Sequence, residues 1–196
     1  MEFERASLEI VGPVAILRMN DPEVLNALSP PMLKGMTDAL DALAAAETPA
    51  RCLVLTGTGR AFSTGANLQG RGKDGITRGA GQALETLFHP FMRRLRDLPC
   101  PIVTAVNGPA AGFGFALALA SDIRYAARSA VLRAAFLNIG VSNCDMGTSW
   151  LLPRLIGASR SHELMLTARR LGAEEAERIG LVAAVVDDER LMDRAL

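Results

Sequence analysis

The chain lacks the features by which several large classes of protein are recognised. Its 196 residues hold 21 Lys and Arg against 21 Asp and Glu, so no net charge attracts nucleic acid or an anionic membrane surface. No apolar run reaches the roughly 18 residues that a membrane-spanning helix needs. The first residues also lack the basic and then apolar pattern of a secretion signal. We therefore expect a cytoplasmic protein without a nucleic-acid or membrane partner.

Cysteine and histidine are also scarce, which bears on disulfides and metals. The three cysteines show no C-x-x-C spacing, and an odd number of thiols without an export signal favours reduced side chains. The two histidines, His89 and His162, lie far apart in sequence with no cysteine at ligand spacing. The sequence therefore predicts neither a disulfide framework nor a metal site.

Apolar residues are abundant, at 49% of the chain, and their spacing predicts an α/β domain. Apolar runs on either side of Gly12 and Pro13 predict a β-hairpin, and Ser29 followed by Pro30 predicts a helix that ends near residue 46. Further strands are predicted at residues 52–57, 101–106, 122–127, 130–133 and 181–186. Further helices are predicted at residues 84–95, 114–120, 148–156, 159–167 and 173–179, and from residue 188 onward. Because strands alternate with helices, we expect parallel pairing within one domain.

Two glycine-containing segments each follow a short apolar run that has the character of a buried strand. Residues 60–68 read RAFSTGANL, and residues 107–115 read NGPAAGFGF. Turns of small residues at the end of a strand leave backbone N–H groups free to point at a ligand. Two such groups that converge on one carbonyl oxygen would form an oxyanion hole. The alternative interpretation is that the glycines only allow strand and helix to pack closely.

Other glycine-based sites do not fit these segments. Gly112 and Gly114 open a helix after a strand, as in dinucleotide-binding folds, but no acidic residue lies about 20 positions further on. The chain has neither the phosphate-binding pattern G-x-x-x-x-G-K-[ST] nor a G-x-S-x-G nucleophile elbow around Ser63. A dinucleotide oxidoreductase and a serine hydrolase are therefore disfavoured.

Taken in order along the chain, these and further segments resemble the crotonase, or enoyl-CoA hydratase/isomerase, superfamily. The resemblance is carried by residues 22–28 (PEVLNAL), 53–68, 101–114, 121–124 (SDIR), 147–157 and 173–182. It implies an α/β fold built as a spiral of ββα units, in a single domain over residues 1–196. The spiral core would occupy about residues 1–145, and the start of a C-terminal helical region about residues 146–196. Since the sequence stops at Leu196 within a predicted helix, we expect that helical region to be truncated.

The resemblance also implies an enzyme of fatty acid metabolism that acts on acyl-CoA thioesters and assembles as a homotrimer or a dimer of trimers. Coenzyme A enters as part of the substrate, so no separate cofactor is expected. By position, the backbone N–H groups of Ala66 and Phe113 would form the oxyanion hole that stabilises the enolate oxygen, and the Phe113 ring would narrow the acyl pocket. Six further residues would bind the acyl-CoA: Val24, Ala27, Thr64, Asn67, Leu68 and Gly112.

The acidic residues depart from the hydratase pattern. The two positions at which hydratases carry glutamate correspond here to Ala116 and Phe136, and neither can titrate. Asp145 resembles the aspartate that shuttles protons in dienoyl-CoA isomerases, in an apolar setting beside Phe113, Phe136 and Met146. The alternative is that Asp145 caps the helix that begins near residue 147. Hydratase, isomerase and a catalytically impaired acyl-CoA-binding paralogue all stay open.

Three other features have structural interpretations. The glycine-rich, polar residues 69–78 predict a mobile loop over the site. Cys144 has no histidine nearby in sequence, so we expect it to serve in packing rather than to react. Asp122 follows an apolar helix, where we expect its carboxylate to tie helix to strand.

Overall fold

The computed structural model describes residues 1–46, 49–68 and 84–196, and for Leu84, Glu85 and Asp145 it describes the backbone only. The predicted loop at residues 69–78 lies outside these ranges. Within them, the structure contains no helix whose length and apolar character would let it cross a bilayer.

A seven-stranded sheet forms the centre of the fold. Its strands are β1 (Glu2–Phe3), β2 (Ala6–Val11), β3 (Val14–Met19), β4 (Cys52–Gly57), β5 (Ile102–Val106), β7 (Ile123–Ala127) and β10 (Ala184–Val186). The strands lie in that order, with antiparallel pairing from β1 to β3 and parallel pairing from β3 to β10. The predicted hairpin is therefore confirmed. The central strands β4 and β5 are buried almost throughout, as is typical of parallel strands covered on both faces.

A smaller sheet and a set of helices surround this centre. The smaller sheet has the order β6 (Ala110–Ala111), β8 (Val131–Arg133) and β9 (Leu171–Gly172). The α-helices are α1 (Pro30–Ala44), α2 (His89–Arg96), α3 (Phe113–Leu119), α4 (Thr148–Ile156), α5 (Ala158–Thr167), α6 (Ala173–Arg178) and α7 (Leu191–Ala195). The alternation of strands and helices confirms the predicted α/β class with parallel pairing.

The start of α1 shows how local sequence determines an element. The Ser29 hydroxyl accepts a hydrogen bond from the Met32 N–H at 3.3 Å, and Pro30 is the first helical residue. Such a cap stabilises a helix by about 1 kcal/mol. The apolar face of α1 buries Met36 and Leu40 in the core that the helix shares with the main sheet.

Two elements differ from the sequence-based expectation. The last predicted strand is shorter, because the N–H groups of Leu181 (2.8 Å) and Val182 (3.3 Å) both donate to the Ala176 carbonyl and so close the end of α6. Only Ala184–Val186 remains to pair with β7. The helix predicted from residue 84 begins as a π-helical turn, Leu84–Phe88, before it continues as α2. The division of the domain near residue 145 stays a prediction.

Candidate active site

The two glycine-containing segments are hydrogen-bonded to each other, and the first is also hydrogen-bonded to residues 25–28. The Ser63 N–H donates to the Pro109 carbonyl at 3.1 Å, and the Ala111 N–H donates to the Ser63 carbonyl at 3.0 Å. The Leu28 N–H donates to the Gly65 carbonyl at 2.7 Å. Three stretches that are distant in sequence therefore meet beside the end of the parallel strands β4 and β5.

Glycine allows the two segments to touch. A Cβ on Gly65, which has φ +91°, would lie 2.6 Å from the Ala111 carbonyl oxygen and 3.1 Å from the Phe113 nitrogen. A Cβ on Gly114 would lie 2.3 Å from the carbonyl oxygen of Ser63. The close-packing interpretation is confirmed at these two positions. It does not extend to Gly112, because no atom lies within 4 Å of the place where its Cβ would be.

The backbone N–H groups of Ala66 and Phe113 have no acceptor within the described part of the chain. Phe113 is the first residue of α3, so its N–H has no partner inside the helix, and the preceding Gly112 provides no side-chain cap. The Gly65 contact puts the first segment directly against the Phe113 nitrogen. Two N–H groups without an acceptor in the described part of the chain, on segments that touch, are the kind of donors from which an oxyanion hole is built. Their catalytic role stays a prediction.

A small apolar cavity of about 80 Å³ lies at these N–H groups. Its described lining consists of Thr64, Gly65, Ala66, Leu68, Gly112, Phe113, Ala135, Phe136 and Ile139. None of these side chains titrates. A larger pocket of about 550 Å³ shares Thr64, Ala66 and Leu68 with the cavity. The rest of its described lining consists of Glu23, Val24, Leu25, Ala27, Arg60 and Asn67.

The structure brings together all six residues that were predicted to bind acyl-CoA. Val24, Ala27 and Asn67 line the larger pocket only. Gly112 lines the cavity only, and the remaining two residues line both. Ala66 lies where the cavity and the larger pocket meet. The predicted set is therefore one continuous surface, although its members come from three separate parts of the sequence.

Asp145 lies in the 3₁₀ turn Asp145–Gly147, which leads directly into α4. The N-cap residue of α4 is Gly147 rather than Asp145. The Asp145 side chain lies outside the described part of the structure, so the proton-shuttle and capping interpretations both stay predictions. Of its expected apolar neighbours, Phe113 and Phe136 line the cavity, whereas Met146 lines a separate pocket beside α2.

The two residues predicted to stand at the glutamate positions of hydratases are apolar and buried. Ala116 is fully buried within α3, and Phe136 is 1% exposed and lines the cavity. No carboxylate occurs among the cavity's described lining residues. The described residues of the cavity therefore offer hydrogen-bond donors and apolar surface, and none of them can carry a proton.

Two predictions for residues outside the cavity have opposite outcomes. The packing role predicted for Cys144 is wrong, because this residue is exposed in the surface segment before α4, where its N–H donates to the Ser142 hydroxyl. The role predicted for Asp122 is confirmed. Its Oδ2 accepts a hydrogen bond from the Ile102 N–H at 2.8 Å, and its Oδ1 lies 3.1 Å from Arg96 Nη1, so it ties β5 to α2.

Two asparagines that the sequence analysis did not single out hold the first glycine segment in place. Asn26 is fully buried, and its Nδ2 donates to the carbonyls of Thr58 (2.9 Å) and Ala61 (2.8 Å). Asn107 Nδ2 donates to the same Ala61 carbonyl at 3.2 Å. The Ser63 hydroxyl donates to the Asn26 carbonyl at 2.7 Å. The sequence did contain a signal for this role, because both asparagines lie in segments that carry the family resemblance. An amide side chain that is buried there must find hydrogen-bond partners.

Within the described part of the chain, the groups with shifted pKa values lie away from both pockets. Burial lowers the pKa of Arg124, whose guanidinium donates to the carbonyls of Ser121 (2.6 Å) and Leu181 (2.8 Å). Burial also raises the pKa of the Cys52 and Cys100 thiols. Among the described residues, no three His, Cys, Asp or Glu side chains are grouped so that they could hold a metal ion.

Known proteins are similar in sequence to this chain along most of its length. The family model for enoyl-CoA hydratase/isomerase matches residues 9–196. A probable enoyl-CoA hydratase of Mycobacterium bovis is 44% identical over 186 residues, and the match covers 92% of this chain but only 65% of that relative's length. A 1,2-epoxyphenylacetyl-CoA isomerase of Escherichia coli is 42% identical over 197 residues, which cover 100% of this chain and 74% of that relative.

Solved structures agree with this assignment. An enoyl-CoA hydratase subunit from Geobacillus kaustophilus has a TM-score of 0.87 at 36% identity, covering 99% of this chain and 73% of that one. A monofunctional enoyl-CoA isomerase from Mycobacterium smegmatis has a TM-score of 0.78 at 36% identity, covering 97% of this chain and 81% of that one. These likenesses confirm the predicted crotonase-like fold. Since the family match runs through both glycine segments and the cavity beside them, the chain belongs to the enoyl-CoA hydratase/isomerase, or crotonase, family.

Proposed function

We propose that the protein transforms acyl-CoA thioesters and, within that class, acts as an enoyl-CoA isomerase. One observation carries the proposal. The N–H groups of Ala66 and Phe113, which have no acceptor among the described residues, lie on touching segments at an apolar cavity whose described walls bear no acid. Such a site favours a reaction in which negative charge develops on a carbonyl oxygen and no water molecule has to be activated.

The proposed reaction moves one double bond and consumes nothing. A base takes a proton from the carbon between the thioester carbonyl and a 3,4 double bond, and the electron pair spreads onto the carbonyl oxygen. The N–H groups of Ala66 and Phe113 stabilise that oxyanion, and loss of one such donor costs about 3 kcal/mol in related chemistry. The base then delivers the proton that it took from C2 to C4. The double bond now lies between C2 and C3.

The cavity and the larger pocket suit the two ends of an acyl-CoA. The larger pocket, of about 550 Å³, takes the coenzyme A portion, and Arg60 in its lining supplies a positive charge suited to a phosphate. The thioester carbonyl lies at Ala66, which lines both spaces. The acyl group enters the cavity of about 80 Å³. We propose no cofactor beyond the coenzyme A of the substrate.

The isomerase is favoured over the hydratase because the hydratase acids are missing. Addition of water to a double bond needs groups that activate the water and deliver its proton, and Ala116 and Phe136 can do neither. Asp145, in the turn before α4, is the proposed base that takes and returns the proton. A similar protein from Escherichia coli is itself named as an isomerase.

A second candidate function is acyl-CoA binding without turnover. The observation that favours it is the same lack of a carboxylate among the described residues of the cavity. Under this alternative the N–H groups of Ala66 and Phe113 would hold a ground-state thioester oxygen, and Asp145 would have no chemical role.

A panel of acyl-CoA substrates separates these candidates. We expect the protein to convert 3-enoyl-CoA into 2-enoyl-CoA, followed by the absorbance of the conjugated thioester, and to hydrate 2-enoyl-CoA far more slowly. Asp145→Asn should lower the isomerisation rate by at least ~100-fold, because a general base of this kind contributes that much or more. Asp193→Asn is the matched control, since Asp193 is exposed on α7 and lines neither the cavity nor the larger pocket.

The outcomes that contradict the proposal are equally specific. Isomerase activity that survives Asp145→Asn within about tenfold would remove Asp145 from the mechanism. Tight acyl-CoA binding without turnover of any enoyl-CoA would favour the binding protein. Hydration as fast as isomerisation would show that another acid takes the place of the missing glutamates.

We further propose that the protein assembles as a homotrimer or a dimer of trimers and works in cytoplasmic fatty acid metabolism. The support is its family membership. Size-exclusion chromatography with light scattering tests the assembly, and a mass corresponding to one or two copies would contradict it.

A further inference from the structure

Three phenylalanine rings form a continuous cluster at the cavity, which we call the aromatic wall. The Phe113 ring lies 4.6 Å from the Phe88 ring, centroid to centroid, and 5.4 Å from the Phe136 ring. Both pairs are tilted, with interplanar angles of 53° and 52°. Such tilted pairs contribute attraction beyond simple burial. The Phe113 ring is therefore held between two neighbours.

The aromatic wall is buried at the place where an acyl chain would extend. Phe88, Phe113 and Phe136 are 6%, 7% and 1% exposed. Phe113 and Phe136 line the cavity, and Phe88 supports Phe113 without lining the cavity itself. A chain that extends toward the wall could advance past it only if Phe113 moved, and the Phe88 and Phe136 rings pack against the Phe113 ring.

Phe113 also joins the wall to the predicted oxyanion hole. Its backbone N–H is one of the two donors without an acceptor among the described residues, and its side chain lines the cavity beside them. Phe113 therefore contributes both the N–H that would bind the thioester oxygen and a ring of the wall, so this one residue sets the distance between them. A chain that is too long for the space would pull the carbonyl oxygen away from the Phe113 N–H.

The volumes indicate how long that chain is. Ligand pockets usually measure about 300–1,000 Å³, and the larger pocket lies in that range at about 550 Å³. The cavity, at about 80 Å³, holds only about three to six groups the size of a water molecule. We infer that the aromatic wall restricts the protein to short acyl groups, of about four to six carbons. This inference rests on the proposed binding of acyl-CoA at this site.

Binding of saturated acyl-CoA thioesters tests the inference apart from catalysis, because these compounds lack the double bond that an isomerase moves. Dissociation constants of the butyryl, hexanoyl, octanoyl and decanoyl thioesters are measured by isothermal titration calorimetry with the wild-type chain and with Phe113→Ala and Phe136→Ala. In the wild type we expect affinity to stop rising beyond hexanoyl-CoA. In both variants it should go on rising, by up to about fourfold for each added methylene, as the longer chain is buried.

The matched control is Phe115→Ala. Phe115 is on α3 as well and is just as deeply buried, but it does not line the cavity. Its removal costs the fold a similar apolar area and should leave the chain-length profile of the wild type intact. If the alanine variants do not fold, Phe113→Leu and Phe136→Leu take their place. The chain-length profile of the wild type by itself still tests whether the protein is restricted to short acyl groups.

Each outcome has a defined meaning. Wild-type affinity that climbs steadily to decanoyl-CoA overturns the inference, and so do wall variants that keep the wild-type profile. A wild type that discriminates by chain length but isomerises no enoyl-CoA supports the aromatic wall and contradicts the isomerase. Failure to bind a thioester of any length contradicts both.

Discussion

Asn26→Ala should be among the most destabilising polar substitutions in the described part of the chain. The Asn26 side chain makes three hydrogen bonds: Nδ2 donates to Thr58 and Ala61, and Oδ1 accepts from the Asp21 N–H at 2.9 Å. The Ala61 carbonyl keeps a partner in Asn107. The Thr58 carbonyl and the Asp21 N–H lose the partner that Asn26 provides.

The magnitude follows from those two groups. Each buried group left unpaired costs about 1–3 kcal/mol, and here the lower half applies because both bonds are only partly buried. The backbone of Asn26 has φ +54°, a left-handed conformation that costs alanine about 1–2 kcal/mol and asparagine less. The sum is a loss of about 3 kcal/mol in the free energy of unfolding, out of a typical total of about 5–15 kcal/mol.

Urea denaturation followed by circular dichroism measures this loss. Asn138→Ala is the control, because Asn138 is exposed and its replacement should change stability by less than about 0.5 kcal/mol. If Asn26→Ala fell within about 1 kcal/mol of that control, the idea that Asn26 holds the first glycine segment would be refuted.

Two further predictions compare residues of the same type in different surroundings: two glycines, and three cysteines. Gly114→Ala should destabilise the protein by about 3 kcal/mol or more, since its Cβ meets backbone at 2.3 Å. Gly112→Ala has open space, but the backbone there has φ +51° and ψ −119°, a region that L-residues rarely adopt, so it should cost about 1–3 kcal/mol. A larger loss for Gly112→Ala than for Gly114→Ala in denaturant unfolding would contradict the packing at Gly114. With a disulfide reagent, exposed Cys144 should react fastest. Cys52 and Cys100 should react slowly at neutral pH, because burial raises the pKa values of their thiols. Their reaction rates should increase only as the pH rises past the usual thiol pKa of about 8.5. Equal reaction rates for all three cysteines would refute this prediction.

Several elements were predictable because their signals are local. The hairpin needed only two apolar runs around Gly12 and Pro13, and α1 needed only Ser29 before Pro30. The last strand was predicted too long, because apolar character at Leu181 and Val182 is equally compatible with a strand and with the closing turn of a helix. Hydrogen bonds to the preceding helix, rather than the composition of the segment, decided between them.

The candidate site divides in the same way. Sequence by itself determined the family resemblance and the two glycine segments, since each depends on residue type at short spacing. The resemblance in turn implied which residues could line an acyl-CoA path. Only the tertiary structure decided that Gly65 lies against Phe113, that Phe88 and Phe136 flank the Phe113 ring, and that the cavity beside them is small. Those facts depend on the order of strands in the sheet and on side chains packed from distant parts of the chain. No local pattern encodes them, because each contact exists only after the parallel strands have brought its two partners together.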